Sequence, residues 1–297
     1  MRRILKQATL SLALLLSLPA AAQLRVVAST SDMGLLAAEI GGERVSLEVL
    51  APADRDPHYL VARPGMMRAL RGADLLIHTG AGLEQGWLPA AMDGAANPAI
   101  REGRAGNFNA SAQVSLRDVG VAADRALGDV HPEGNPHFSL DPLRYARVAE
   151  ALAARLATLD AQGAEYYLAR AEAFKQALAQ RLPRWREALQ GAPGAVLYHK
   201  NADYLLARFE VPLLGLLEPV PGVPPTGRHL RELIDALRGR DGVVLYHGYQ
   251  SPAAPQRLAR ALGWDAREVP AYPPADEGAQ AYFRLIDQWV RALGSTE

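Results

Sequence analysis

The sequence contains no cysteine among its 297 residues. Disulfide bonds, thiolate metal sites and a lipid-modified cysteine are therefore excluded. Basic and acidic residues number 32 each, so the chain lacks the basic excess that attracts nucleic acid. No HExxH or comparable zinc-hydrolase motif occurs. Any metal chemistry in this chain must therefore depend on histidine and carboxylate side chains.

The first 22 residues have the pattern of a secretory signal. They contain three basic residues and no acidic residue, followed by an apolar stretch over residues 10–18 and the small residues Ala20, Ala21 and Ala22. We predict cleavage before Gln23 and a periplasmic mature protein. A membrane anchor is the alternative, but Pro19 interrupts a stretch far shorter than the ~20 apolar residues that cross a bilayer.

From residue 24 onward, short apolar runs alternate with amphipathic stretches, which predicts α/β lobes with mostly parallel sheets flanked by helices. The predicted strands cover residues 24–28, 45–50, 74–78, 195–199, 211–217, 242–247 and 266–269. The predicted helices cover residues 31–40, 64–72, 142–159, 164–189, 202–209, 226–238, 254–262 and 278–293. Residues 93–136 are rich in turn-forming residues, with a candidate strand at residues 113–119.

The stretch at residues 164–189 predicts one helix ~37 Å long, which is long enough to span two lobes. We therefore predict an N-terminal lobe at residues 23–162, a rigid linking helix at residues 163–190 and a C-terminal lobe at residues 191–297.

Three of the seven histidines lie where we expect the chain to turn from a strand into a loop or a helix. His58 and His137 each follow a proline, and His199 ends an apolar run. Ligands bind at the carboxyl ends of strands in open parallel sheets, and imidazole nitrogens suit zinc. The trio therefore indicates a metal site. His78 and His229 fit ordinary structural positions, whereas His247, at the end of another strand, is harder to set aside.

Several motifs resemble the cluster A-I solute-binding proteins of zinc and manganese ABC transporters. They are Asp56-Pro57-His58, the segment Gly134-Asn135-Pro136-His137-Phe138-Ser139-Leu140-Asp141-Pro142, Tyr198-His199 and the proline-rich segment ending at Thr226. The resemblance implies two lobes that hold one metal ion in the cleft between them, with His58, His137 and His199 as ligands. It also implies a periplasmic monomer that binds metal and is not an enzyme. Such a protein delivers Zn²⁺, or alternatively Mn²⁺, to an inner-membrane ABC permease. A metallochaperone is a further possible partner.

The fourth ligand is left open by the sequence. Relatives carry an aspartate in the last loop of the second lobe, where Asp276 is the nearest candidate and Glu277 follows it. Both acids also suit the N-terminus of the next helix, where the helix dipole favours them. The alternatives are a water molecule or His131. We further expect acceptors for the far ring nitrogens, with Asp203 as the candidate for His199.

Four functions remain open at this point. A zinc receptor for an ABC permease leads, and a manganese or iron receptor of the same fold is the alternative. A three-histidine zinc hydrolase would need a general base, for which His131, Glu133 or Glu277 is available. An adhesin role is known among relatives, but no residue of this sequence favours it.

Overall fold

The computed structural model describes residues 23–120, 131–218, 220 and 222–294. The predicted signal at residues 1–22 lies outside the described residues. Two four-stranded sheets, both entirely parallel, organise the described part of the chain. The first sheet has the order β2-β1-β3-β4 and the second β6-β5-β7-β8. Their strands are β1 (Leu24–Ala28), β2 (Val45–Val49), β3 (Leu75–His78), β4 (Asn107–Asn109), β5 (Ala195–Leu197), β6 (Leu213–Leu216), β7 (Val243–Tyr246) and β8 (Asp265–Glu268).

Nine α-helices flank these sheets within the described residues. They are α1 (Ser31–Gly41), α2 (Pro64–Arg71), α3 (Leu88–Ala95), α4 (Pro142–Leu159), α5 (Ala164–Ala188), α6 (Asp203–Arg208), α7 (Gly227–Leu237), α8 (Ala253–Leu262) and α9 (Gly278–Leu293). Two of these helices begin at capping residues that the sequence displays. At the start of α4 the side chain of Asp141 accepts a hydrogen bond from the Leu143 amide, and at the start of α7 that of Thr226 accepts one from the His229 amide. None of the described helices combines the length and the apolar character needed to cross a bilayer.

The long helix α5 joins the two lobes through a shared core. Its 25 residues bury one face, which carries Tyr167, Ala171, Phe174, Leu178 and Trp185 at helical spacing. These side chains belong to one apolar cluster that also contains residues of β1, α1, α4, β5, α6 and α9. Smaller clusters fill the outer face of each sheet. The prediction of two parallel-sheet lobes joined by one long helix is therefore confirmed.

The sequence prediction was wrong in the middle of the chain. Residues 113–119 form no strand; a 3-10 turn at Ser111–Gln113 precedes an irregular segment. The edge strand is instead β4, which pairs with β3, and α3 was missed. Asn107 and Asn109 are poor strand formers, but parallel pairing with β3 outweighs that local preference.

Candidate metal centre

Four histidines from four separate segments meet between the lobes. His58 lies in the 3-10 turn Pro57–Tyr59 that follows β2, and His199 lies between β5 and the 3-10 turn Lys200–Ala202. His137 directly precedes the turn Phe138–Leu140 that leads into α4. His131 enters from the loop before it. The ring centroid of His58 lies 5.2–5.4 Å from the centroids of the other three rings.

The Nε2 atoms of these rings face one another in pairs. The Nε2 atoms of His58 and His131 are 3.2 Å apart, and those of His137 and His199 are also 3.2 Å apart. A tetrahedral zinc ion with Zn–N bonds of 2.0–2.1 Å separates its ligand nitrogens by ~3.3–3.4 Å. Ligand nitrogens of His58, His131 and His137 all lie within 4.8 Å of one another. His199 lies outside that group of three and adjoins it through the short distance to His137. The two short distances are those of neighbouring ligands on a single small cation.

Three of the rings are oriented by hydrogen bonds from Nδ1. His58 Nδ1 donates to the Asp56 carboxylate at 2.6 Å, and His199 Nδ1 donates to that of Glu218 at 2.9 Å. His131 Nδ1 donates to the carbonyl oxygen of Ala81 at 3.1 Å. Carboxylate and carbonyl oxygens can only accept, so each Nδ1 carries the proton. Each Nε2 consequently presents its lone pair to the centre, as a metal ligand must.

The two carboxylates balance the charge of a divalent ion. Four neutral imidazoles bring no charge, so a bound ion would leave +2, which Asp56 and Glu218 offset through the rings they hold. Burial opposes ionisation of Asp56, but hydrogen bonds and attraction from His58 outweigh it and lower the pKa of this carboxyl group. Asp56 is therefore ionised at neutral pH.

We expect Asp56→Asn and Glu218→Gln each to weaken metal binding by roughly 10- to 100-fold. The amide keeps the shape of the side chain but removes the negative charge, and its nitrogen competes to donate where the ring also donates. Competition with a chelator of known affinity measures the change. Asp235→Asn, on the exposed face of α7, is the control. Affinities equal to that of the wild-type protein would show that these carboxylates do not tune the rings.

Burial keeps two of the rings neutral. Burial, followed by repulsion from His58 and His199, lowers the pKa of His131 to about 3. Burial and the neighbouring histidines also hold the pKa of His137 well below its ordinary value of 6.5. Both rings are therefore unprotonated at pH 7 and available to a metal ion.

Acid should destabilise the metal-free protein for the same reason. Between pH ~6.5 and about 3 the unfolded chain binds a proton at His131 that the folded chain does not bind, so the free energy of unfolding rises with pH in that window. His137, whose pKa is also lowered, acts in the same direction. Stability present above pH 6.5 is lost on acidification, by up to ~1.4 kcal/mol per pH unit for each ring. Urea unfolding at pH 7.5, 6 and 5 measures this slope, which should be shallower in His131→Ala. A slope that this substitution leaves unchanged would contradict the assignment.

The structure places the His131 ring beside His58 of the predicted trio, so His131 is available as the fourth ligand. Asp276 is exposed in the loop before α9, and the group of side chains spaced to share an ion contains no carboxylate among the described residues. Asp276 as a ligand stays a prediction that the geometry does not favour. Glu277 is exposed as well and pairs with Arg284.

Three polar residues close to the trio have roles other than binding metal. Asp203 does not orient His199, because it pairs with Arg117 at 2.6 Å. Glu218 takes that role, and the sequence carried a signal for it, since this residue follows β6 at the same sheet edge as His199. His247 is a buried structural residue whose Nδ1 donates to the carbonyl oxygen of Val269 and whose ring also contacts Asn201.

Comparisons with known proteins agree with this architecture. The family model described as "Zinc-uptake complex component A periplasmic" matches residues 26–296. The high-affinity zinc uptake system protein ZnuA of Yersinia pestis is 27% identical over 267 residues, which cover 82% of this chain and 81% of that protein. A crystal structure of ZnuA superimposes with a TM-score of 0.74 at 21% identity, covering 92% of this chain and 100% of that one.

A second relative carries a different metal in its name. The manganese-binding lipoprotein MntA of Halalkalibacterium halodurans is 30% identical over 163 residues, which cover 54% of this chain. The matched part spans about half, 48%, of the length of that relative. The family match, in contrast, extends over nearly the whole described chain. The protein therefore belongs to the ZnuA family of metal-binding solute-binding proteins, the cluster A-I type, and is a binding protein and not an enzyme.

Proposed function

We propose that this protein is a periplasmic zinc receptor that holds one Zn²⁺ with His58, His131, His137 and His199. The observation that carries the proposal is the meeting of four imidazoles with two Nε2–Nε2 distances of 3.2 Å. Because His199 comes from the second lobe and the other three come from the first, the ion would tie the lobes together.

The ligand chemistry favours zinc over manganese. Imidazole suits zinc, whereas manganese prefers carboxylate and other oxygen ligands. Asp56 and Glu218 are close by, but each engages the far nitrogen of a ring, so their contribution is charge and orientation. The relative named as a manganese-binding lipoprotein keeps manganese as the alternative cargo.

The family supports delivery of the ion to an inner-membrane ABC permease. Its description names a periplasmic component of a zinc-uptake complex. A receptor needs tight binding of one ion without turnover, and a ligand shell closed by four protein nitrogens suits that task. Such a shell leaves no open position for a catalytic water, which argues against a hydrolase.

Metal analysis of the protein tests the proposal. Metal-free protein is dialysed against equal concentrations of Zn²⁺ and Mn²⁺ at pH 7.5, and bound metal is measured by mass spectrometry. We expect one zinc ion per chain and no retained manganese. Retention of manganese in the presence of zinc would support the alternative receptor, and retention of neither metal would refute a receptor for zinc or manganese.

A further inference from the structure

Two ion pairs cross between the lobes beside the histidines. Arg117 Nε lies 2.6 Å from the Asp203 carboxylate, and Lys200 Nζ lies 2.6 Å from the Asp118 carboxylate. Neighbouring residues of the first lobe, one of each charge, thus meet the opposite charges in the second lobe, where Lys200 begins the 3-10 turn Lys200–Ala202 and Asp203 begins α6. We call these two pairs the clasp.

Buried hydrogen bonds connect the clasp to the ligand histidines. The Asn135 side chain accepts from the His137 amide at 2.9 Å and donates to the Lys200 carbonyl oxygen at 2.9 Å. Tyr204, which is fully buried, donates its hydroxyl proton to the Asn135 carbonyl oxygen and accepts from the Arg117 amide. Separation of the clasp residues would therefore move the backbone on both sides of the contact between His137 and His199.

The same segment anchors the approach to His131. The Arg117 carbonyl oxygen accepts from the Asn135 amide at 2.8 Å, and the Gly120 amide donates to the Pro132 carbonyl oxygen at 3.1 Å. Gly134 has a φ of +118°, and a Cβ there would lie 2.7 Å from the Leu116 side chain. These two backbone hydrogen bonds hold residues 117–120, which include two clasp residues, against residues 132–135, which directly follow His131.

The backbone at Asp118 is held in an unfavourable conformation. Its φ is +58°, in the left-handed region that non-glycine residues seldom adopt, although aspartate tolerates it better than most. Such conformations persist where surrounding contacts fix them, and they cluster at functional sites. The side chain of the same residue forms the ion pair with Lys200.

We propose that the clasp controls how fast the bound metal leaves the cleft. This inference rests on the proposed function, since it concerns release from the same site. Metal can leave only after His137 and His199 separate or His131 withdraws, and the clasp resists both movements. Asp203 is nearly buried, with a side chain 7% exposed, so its attraction to Arg117 is less screened than that of a surface pair. The four clasp residues are positioning residues and need not touch the ion.

Release kinetics test the proposal. Zinc-loaded protein is mixed with excess chelator, and the dissociation rate is followed by stopped-flow fluorescence for the wild type, Asp118→Asn, Lys200→Met and the double variant. Asparagine tolerates the left-handed backbone, and methionine keeps the apolar stem of the lysine. We expect each single variant to release zinc roughly 3- to 10-fold faster, and the double variant to be no faster than the faster single variant.

Two readouts separate this role from a general loss of stability. The wild-type release rate should rise with ionic strength between about 0.05 and 0.5 M, whereas that of the double variant should respond more weakly. Lys175→Met is the matched control, because it removes a lysine–carboxylate pair of 2.7 Å between α4 and α5, away from the cleft. We expect this control variant to release zinc at the wild-type rate, even if its melting temperature is lower.

The outcomes distinguish the two proposals. A wild-type protein that retains one zinc ion but releases it at the same rate as all clasp variants would overturn the clasp alone. Additive effects of Asp118→Asn and Lys200→Met would also overturn it, because the residues would then act independently. A wild-type protein that retains no zinc would overturn the proposed function and the clasp with it.

Discussion

Alanine in place of His137 is expected to lower zinc affinity by roughly 100- to 1000-fold. Structural zinc sites with four ligands contribute ~10–16 kcal/mol, so one ligand accounts for ~2.5–4 kcal/mol. His137 is buried and contacts His58 and His199 through ring centroids 5.2 and 5.1 Å away, so its loss opens the ligand shell on the side of the second lobe. Competition with a chelator measures the affinity.

The control for this experiment is His229→Ala. His229 lies in α7, and its Nε2 donates to the carbonyl oxygen of Leu216, away from the four-histidine group. This variant should bind zinc as tightly as the wild type. A His137→Ala protein that is folded, by its circular dichroism, and retains wild-type affinity would remove His137 from the ligand set.

Asp141→Ala is expected to have the largest effect on stability, a loss of ~3–5 kcal/mol in the free energy of unfolding. The side chain is fully buried, caps the first turn of α4 and receives two hydrogen bonds from Arg208 of the second lobe at 2.9 and 2.8 Å. Arg144 contacts it as well. Alanine removes the cap and leaves both guanidinium groups without their carboxylate.

Asp141→Asn separates the two contributions. Asparagine is an equally good N-cap, so this variant loses the charge but keeps the cap, and it should be destabilised by less than Asp141→Ala. Urea unfolding of the metal-free proteins measures both. A loss below about 1 kcal/mol for Asp141→Ala would contradict the idea that this buried carboxylate holds the lobes together through Arg208.

The sequence was most informative where local physics and tertiary structure agree. The strands β3 and β7 and the second half of β1 are mostly buried apolar runs, and α4 begins at the predicted cap and proline. It was least informative at residues 107–119, where parallel pairing placed a strand on polar residues and left the more apolar residues that follow irregular. No periodicity in a short segment reveals which neighbour it will pair with.

The same distinction holds for the candidate site. The trio can be recognised from turns in the sequence: His58 and His199 lie in turns that follow β2 and β5, and His137 lies in the turn that leads into α4. The position of the His131 ring depends instead on a long-range contact. Its Nδ1 donates a hydrogen bond to the carbonyl oxygen of Ala81, which lies 50 residues earlier in the chain. Glu218 lies 19 residues from the ring that it orients. Spacing alone could not choose it over Asp203, which is only four residues from His199 but turns toward Arg117.

A crystal structure of the zinc-loaded protein, with the ion located by anomalous scattering at the zinc edge, tests the central claim most directly. We predict one zinc ion between the lobes, with the Nε2 atoms of His58, His131, His137 and His199 at about 2.0–2.1 Å in tetrahedral geometry. Zinc bound by the trio with the Asp276 carboxylate or a water molecule in the fourth position, and with His131 turned away, would contradict the four-histidine site.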